Sequence, residues 1–169
     1  MRAYKLFLFA LILLFGRQGA AQTTNYQVYS LFVVNIAKYS SWPTTGTEMS
    51  ITVLGKSKVY EELMKHAARG VNGVPLKVLQ AEKESDIGQP NIVYISDGKS
   101  GSLDEVLKLV EGKPVMIITE REGLVRRGAD FSFLITDNNT LKFDLNNTEL
   151  ERRRIKVSKN LAGLANSIL

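Results

Sequence analysis

Four short apolar runs recur along the chain: Ile51-Thr52-Val53-Leu54, Leu76-Lys77-Val78-Leu79, Ile92-Val93-Tyr94-Ile95 and Val115-Met116-Ile117-Ile118. The first two read as short strands, and the last two, apolar at every position, are of the kind found in buried strands of a parallel sheet. Helical patterns lie between them. Residues 58–69 place Tyr60, Leu63, Met64 and Ala67 at helical spacing, and residues 102–110 do the same with Leu103, Val106, Leu107 and Val110. A parallel pair needs a crossover of this kind, so the alternation predicts an α/β fold with a mainly parallel central sheet and flanking helices.

The last third reads differently. Residues 131–135 and 141–145 alternate in polarity around Asp137-Asn138-Asn139, which predicts a C-terminal antiparallel hairpin. Residues 158–169 carry Leu161, Leu164, Ala165 and Ile168 at helical spacing, with Ser158 as N-cap, and predict a closing helix. Before the first strand, residues 26–39 are apolar on nearly all sides and predict a buried or interface-forming helix that stops before Pro43.

The first 21 residues have a basic start (Arg2, Lys5), an apolar run over 6–15 and a small-residue exit at Gly19-Ala20-Ala21. That is the layout of a cleaved secretory signal peptide, and the run falls well short of the about 20 residues a spanning helix needs. The expected division is therefore 1–21 leader and 22–169 one exported, periplasmic domain, with an uncleaved anchor as the alternative. Three of the 22 basic residues sit in the leader, so the remainder carries 19 against 17 acidic residues, a net +2. A charge so near balance gives no reason to expect nucleic acid, and the run Arg152-Arg153-Arg154 reads as a solvated helix face. Zero cysteines exclude a disulfide and a thiolate metal site.

Gly-Lys-Ser occurs at two strand-to-helix junctions, in Val53-Leu54-Gly55-Lys56-Ser57 and Ser96-Asp97-Gly98-Lys99-Ser100. A Walker A loop would need a glycine at Ser50 or Val93, so neither is a P-loop. Strand ends in open α/β sheets are nevertheless where ligands bind, which makes Gly55, Lys56, Ser96, Asp97, Gly98 and Lys99 a candidate small-molecule site. Two ordinary loops with serine caps are the plainer reading. Catalysis has little to build on. The single histidine, His66, falls on an amphipathic helix; a hydrolase would have to be assembled around it, and Glu120 and Glu122 are only two residues apart in a loop. No metal-ligand string is present, and neither an enzyme nor a cofactor is expected.

Phe32-Val33-Val34-Asn35-Ile36-Ala37-Lys38-Tyr39 with Trp42-Pro43, the strands 51–55, 91–96 and 115–119, Phe143-Asp144-Leu145-Asn146, and Val157-Ser158-Lys159 with Leu161-Ala162-Gly163-Leu164-Ala165 together resemble the YfiR family of periplasmic proteins. The resemblance spans residues 29–165 and is most specific at Lys38-Tyr39-x-x-Trp42-Pro43. It implies a non-catalytic, often dimeric regulator that inhibits or modulates a membrane diguanylate cyclase in cyclic-di-GMP signalling. The alternative is an extracytoplasmic small-molecule sensor, for example for a histidine kinase. On this reading the partner-binding residues are Tyr39, Trp42 and Pro43 with Arg121, Arg126 and Arg127, since aromatic and arginine anchors dominate interfaces. The family's redox-sensitive cysteines are missing, and the loop 120–129 lacks an aromatic residue and a glycine of the family pattern.

Overall fold

The computed structural model describes residues 19–44 and 46–169, with side chains from Tyr26 onward. Most of the expected leader, 1–21, lies outside the described residues. The elements in chain order are α1 (Gly19–Lys38), β1 (Ser40–Ser41), β2 (Met49–Leu54), α2 (Val59–Ala67), β3 (Leu76–Ala81), β4 (Ile92–Ile95), α3 (Leu103–Leu109), β5 (Met116–Thr119), β6 (Phe131–Ile135), β7 (Leu141–Leu145), α4 (Asn147–Arg152), β8 (Lys156–Val157), α5 (Lys159–Ala162) and β9 (Ser167–Ile168). Among the described residues no helix is long and apolar enough to cross a membrane.

Seven strands form one sheet in the order β3-β2-β4-β5-β6-β7-β9. The first five are parallel, β6 and β7 form the antiparallel hairpin, and β9 lies parallel to β7. The parallel core and hairpin are those the apolar runs predict. A second, two-stranded antiparallel sheet joins β1 to β8 and ties the exit of α1 to the C-terminal region.

The central strands β4 and β5 bury both faces, whereas the edge strand β3 leaves Lys77, Leu79 and Gln80 exposed. On one side Ile51, Val53, Ile92, Tyr94, Met116, Ile118, Phe131 and Phe133 meet Val33, Ile36 and Ala37 of α1 and Leu63 of α2. Aromatic rings reinforce this layer, with Tyr29 and Phe32 meeting Phe133 edge-on at 5.2 and 5.9 Å. On the other side Leu54, Val93, Ile95 and Ile117 meet Leu103, Val106 and Val110 around α3. Helices α2 and α3 thus fall on opposite faces, and the strand order reverses between β2 and β4. That reversal is a topological switch point.

Two expectations need correction. The closing helix is a single turn, α5, and the chain then extends as β9 rather than continuing to Leu169. The open edge of β7 supplies the reason: Asn166 N donates to Phe143 O at 2.8 Å and Leu169 N to Leu145 O at 2.8 Å, so sheet bonding outweighs further helix. Ser158 does cap the turn, its side chain accepting from Leu161 N. The arginine run is not a solvated face either. Arg152 and Arg154 are exposed, whereas Arg153 is buried and donates to the fully buried Asp130 at 2.7 Å.

Candidate functional site: the two ends of the sheet

The strand-end residues Gly55, Lys56, Ser96, Asp97, Gly98 and Lys99 do come together, because β2 and β4 are neighbours and their carboxyl ends are level. They sit at the switch point, where a crevice is the rule for such sheets. Here the polar groups of that crevice are engaged internally. Ser96 is buried and its hydroxyl donates to Leu54 O at 2.8 Å; Lys99 reaches Glu84 at 3.4 Å. Gly55 has φ +89°, and a Cβ there would come within 2.6 Å of Lys99 Cγ and strike the Ser96 hydroxyl as well. Glycine is therefore required by both the left-handed backbone and the closeness of the next junction. Lys56 and Gly98 are exposed. The segment after β4 is a 3-10 turn, Asp97–Ser102, rather than an α-helical start with free amides aimed at one point.

Beside this junction lies Glu120, which spacing along the chain pairs only weakly with Glu122. Glu120, just beyond β5, is half-buried; its carboxylate accepts from Ser57 Oγ and Asp97 N, each at 3.3 Å. Glu122 is exposed, so the two carboxylates do not share an environment. Burial pushes the Glu120 carboxyl above its ordinary value, while the Asp97 N–H, Tyr94 and Ser57 pull it back. The wholly buried Tyr94 hydroxyl is near Glu120 yet, among the described residues, in hydrogen-bond geometry with nothing, and burial followed by the Glu120 charge raises it well above the usual phenol range. Tyr29 is raised to about 12, again by burial first and Glu120 second. The period-2 rule places Tyr94 on the α1 side of the sheet, but no pattern in the loop signals that Glu120 turns inward.

Arg121 and Asp97 form a two-point ion pair at 2.8 and 3.3 Å, and hydrogen bonding to Arg121 holds the Asp97 carboxyl below its usual range. Arg127 pairs with Asp104 at 2.9 Å. Among the described residues Arg126 makes no ion pair, and it is exposed. The structure places the six expected partner-binding residues at two ends of the sheet. Arg121, Arg126 and Arg127 follow the carboxyl end of β5, while Tyr39, Trp42 and Pro43 precede the amino end of β2. Tyr39 is 48% exposed, Pro43 is exposed, and Trp42 packs partly against the core.

His66 is partly exposed on α2, and among the described residues no hydrogen bond joins its ring to a hydroxyl or carboxylate. No cluster of three metal-ligating side chains occurs among the described residues.

A family model described as YfiR/HmsC-like matches residues 26–166. Among solved structures, the chain is similar to a conserved domain protein from Vibrio cholerae O1 biovar El Tor, with TM-score 0.59 and 16% identity, over 85% of this chain and 60% of that one. It is also similar to an ABC domain from Streptococcus pneumonia solved in complex with L-Trp, with TM-score 0.57 and 11% identity, over 80% of this chain and 59% of that one. At these identities the likeness concerns the fold alone, and this chain spans about three fifths of the length of either structure.

Proposed function

Because the chain belongs to the YfiR/HmsC-like family, we propose that it is a periplasmic, non-catalytic regulator that binds the extracytoplasmic part of a membrane diguanylate cyclase and lowers cyclic-di-GMP output. The observation that carries this reading is the extent of the family match, from the first aromatic of α1 to the edge of β9. The surface chemistry supports it. Tyr39 and Arg126, which makes no ion pair among the described residues, offer the rigid aromatic and multivalent cationic anchors that contribute most at interfaces. A second copy of the chain fits the open β9 edge, where Leu164, Ile168 and Leu169 are all exposed.

The reading is tested by co-expressing the chain with a membrane diguanylate cyclase and measuring cellular cyclic-di-GMP, then repeating with Tyr39→Ala and Arg126→Ala. A fall in cyclic-di-GMP that either substitution relieves is expected. Unchanged cyclic-di-GMP across a panel of such cyclases, with no complex recovered from the membrane fraction, would overturn it.

A further inference from the structure

Five exposed cations, Lys38, Arg69, Arg154, Lys156 and Lys159, lie on segments that meet at the amino end of the parallel strands, around the half-exposed Tyr39. The contacts that gather them are specific. Tyr39 O accepts from Ser158 N at 2.9 Å, and Ser41 pairs with Lys156 across the two-stranded sheet, so Lys156 and Lys159 flank the residue opposite Tyr39. Arg154 and Lys156 are exposed on either side of the buried Ile155. The Asn72 amide donates to Lys38 O at 2.9 Å, which draws the turn after α2, and Arg69 with it, up to the end of α1. Lys38 Nζ stands 5.8 Å from the centre of the Tyr39 ring, a cation–π contact.

The fold does not use these charges as a set. None of the five makes an ion pair among the described residues. Lys38 and Arg69 stand at or just past the carboxyl-terminal ends of α1 and α2, where the helix dipole favours a cation. That account does not reach the others. Lys156 is on a strand, and Lys159 opens the single turn of α5, the end at which a positive charge opposes the dipole. The carboxylates beside these segments in the chain are Glu48, which is exposed, and Glu151, which accepts from the Asn147 amide at 2.7 Å. Residues 22–169 hold 19 basic against 17 acidic side chains, so a group of five cations at one end orients the molecule in the field of a charged surface.

We propose that this face docks the protein on an anionic lipid surface, with the five cations over the headgroups and the Tyr39 ring at the boundary between lipid and water. The arrangement favours a bilayer over an acidic protein. The charges are separate points on several elements, and the large exposed side chain among them is a tyrosine, whose apolar ring and polar tip suit the headgroup level. Such an array matches diffuse negative charge, whereas a single carboxylate is met by a two-point fork of the kind Arg121 makes with Asp97. The inference rests on the regulatory reading only for placing the chain beside a membrane, and it is measured without a cyclase, so the two fail separately.

The test is co-sedimentation of the purified protein with vesicles of phosphatidylcholine alone, and of phosphatidylcholine mixed equally with phosphatidylglycerol. Binding to the anionic vesicles is expected, and it should fall steeply as salt rises. Lys156→Gln with Lys159→Gln should weaken it about fivefold per lysine, hence about 25-fold for the pair. Lys56→Gln with Lys83→Gln makes the same change of charge at the opposite end of the sheet, more than a Debye length away, and should leave binding within about twofold. All four lysines are exposed, so both variants keep the fold. Equal binding to the two kinds of vesicle, or an equal loss from the two pairs of substitutions, would overturn the proposal. So would an absence of binding to anionic vesicles; if the Lys156 and Lys159 substitutions then weaken capture of a cyclase periplasmic region, the face belongs to an acidic protein instead.

Discussion

At the scale of single residues, the informative groups are polar side chains the fold has drawn inward. Glu120 is the first. Its folded value lies above the ordinary 4.5 because burial disfavours the charge. A carboxyl raised on folding contributes stability fully below its unfolded value and loses it as pH rises through the folded one. Wild type is therefore expected to lose thermal stability relative to Glu120→Gln as pH climbs from below 4.5 to neutrality, read as the difference in thermal midpoints. A constant difference across that range would contradict the account. Asp130 behaves in the same sense: burial lifts it to about 7, against the Arg153 guanidinium and the Ile117 amide, which donates at 2.6 Å. Removing one partner strands the other in a dry site, so Arg153→Met is expected to cost about 3–5 kcal/mol in urea unfolding. Adding Asp130→Asn to it should return part of that loss, because no unpaired charge remains.

At the scale of elements, the C-terminal segment shows how short pieces hold one another. Strand β9 covers the edge of β7, and Leu169 O accepts from Asn147 N at 2.9 Å at the start of α4, whose cap Asn146 also donates to Val125 O at 2.8 Å. Ending the chain at Ala165 removes the backbone bonds of Asn166 and Leu169 to β7 and to the start of α4, and uncovers the β7 edge. With each backbone bond worth about 0.5–1.5 kcal/mol net, a loss of about 2–4 kcal/mol is expected by denaturant titration. Amide exchange in α4 should speed up in the truncated chain, while that in β4 and β5 should follow only the global loss. The segment carries a helical signal because Leu161, Leu164, Ala165 and Ile168 match a helical period. The deciding factor was an unpaired strand edge about 20 residues earlier, which no local window contains.

At the scale of the whole molecule, the sheet separates two surfaces. Its central parallel strands are four residues long, roughly 13 Å, with the arginine loop beyond one end and the Tyr39 and Trp42 segment beyond the other. Groups that far apart with no common partner contribute independently. In binding measurements with a cyclase periplasmic region, the free-energy losses of Tyr39→Ala and Arg126→Ala should therefore add in the double variant to within about 0.5 kcal/mol. Clear non-additivity would mean that the two ends communicate through the sheet.

The amino-acid sequence by itself determined the parallel core, the hairpin, the course of α1 and α2, and the family, because each is written in a local period or an ordered string. Buried strands must be apolar at every position, and amphipathic helices must repeat near every 3.6 residues, so these signals survive without knowledge of contacts. Only the tertiary structure decided that the Gly55 and Ser96 junctions close on each other, that Glu120 and Arg153 turn inward, and that Trp42 packs partly against the core while Tyr39, three residues earlier, faces solvent. Those outcomes depend on which distant groups meet a side chain. Burial and hydrogen-bond partners arise between segments far apart in the chain, and no spacing along it records them.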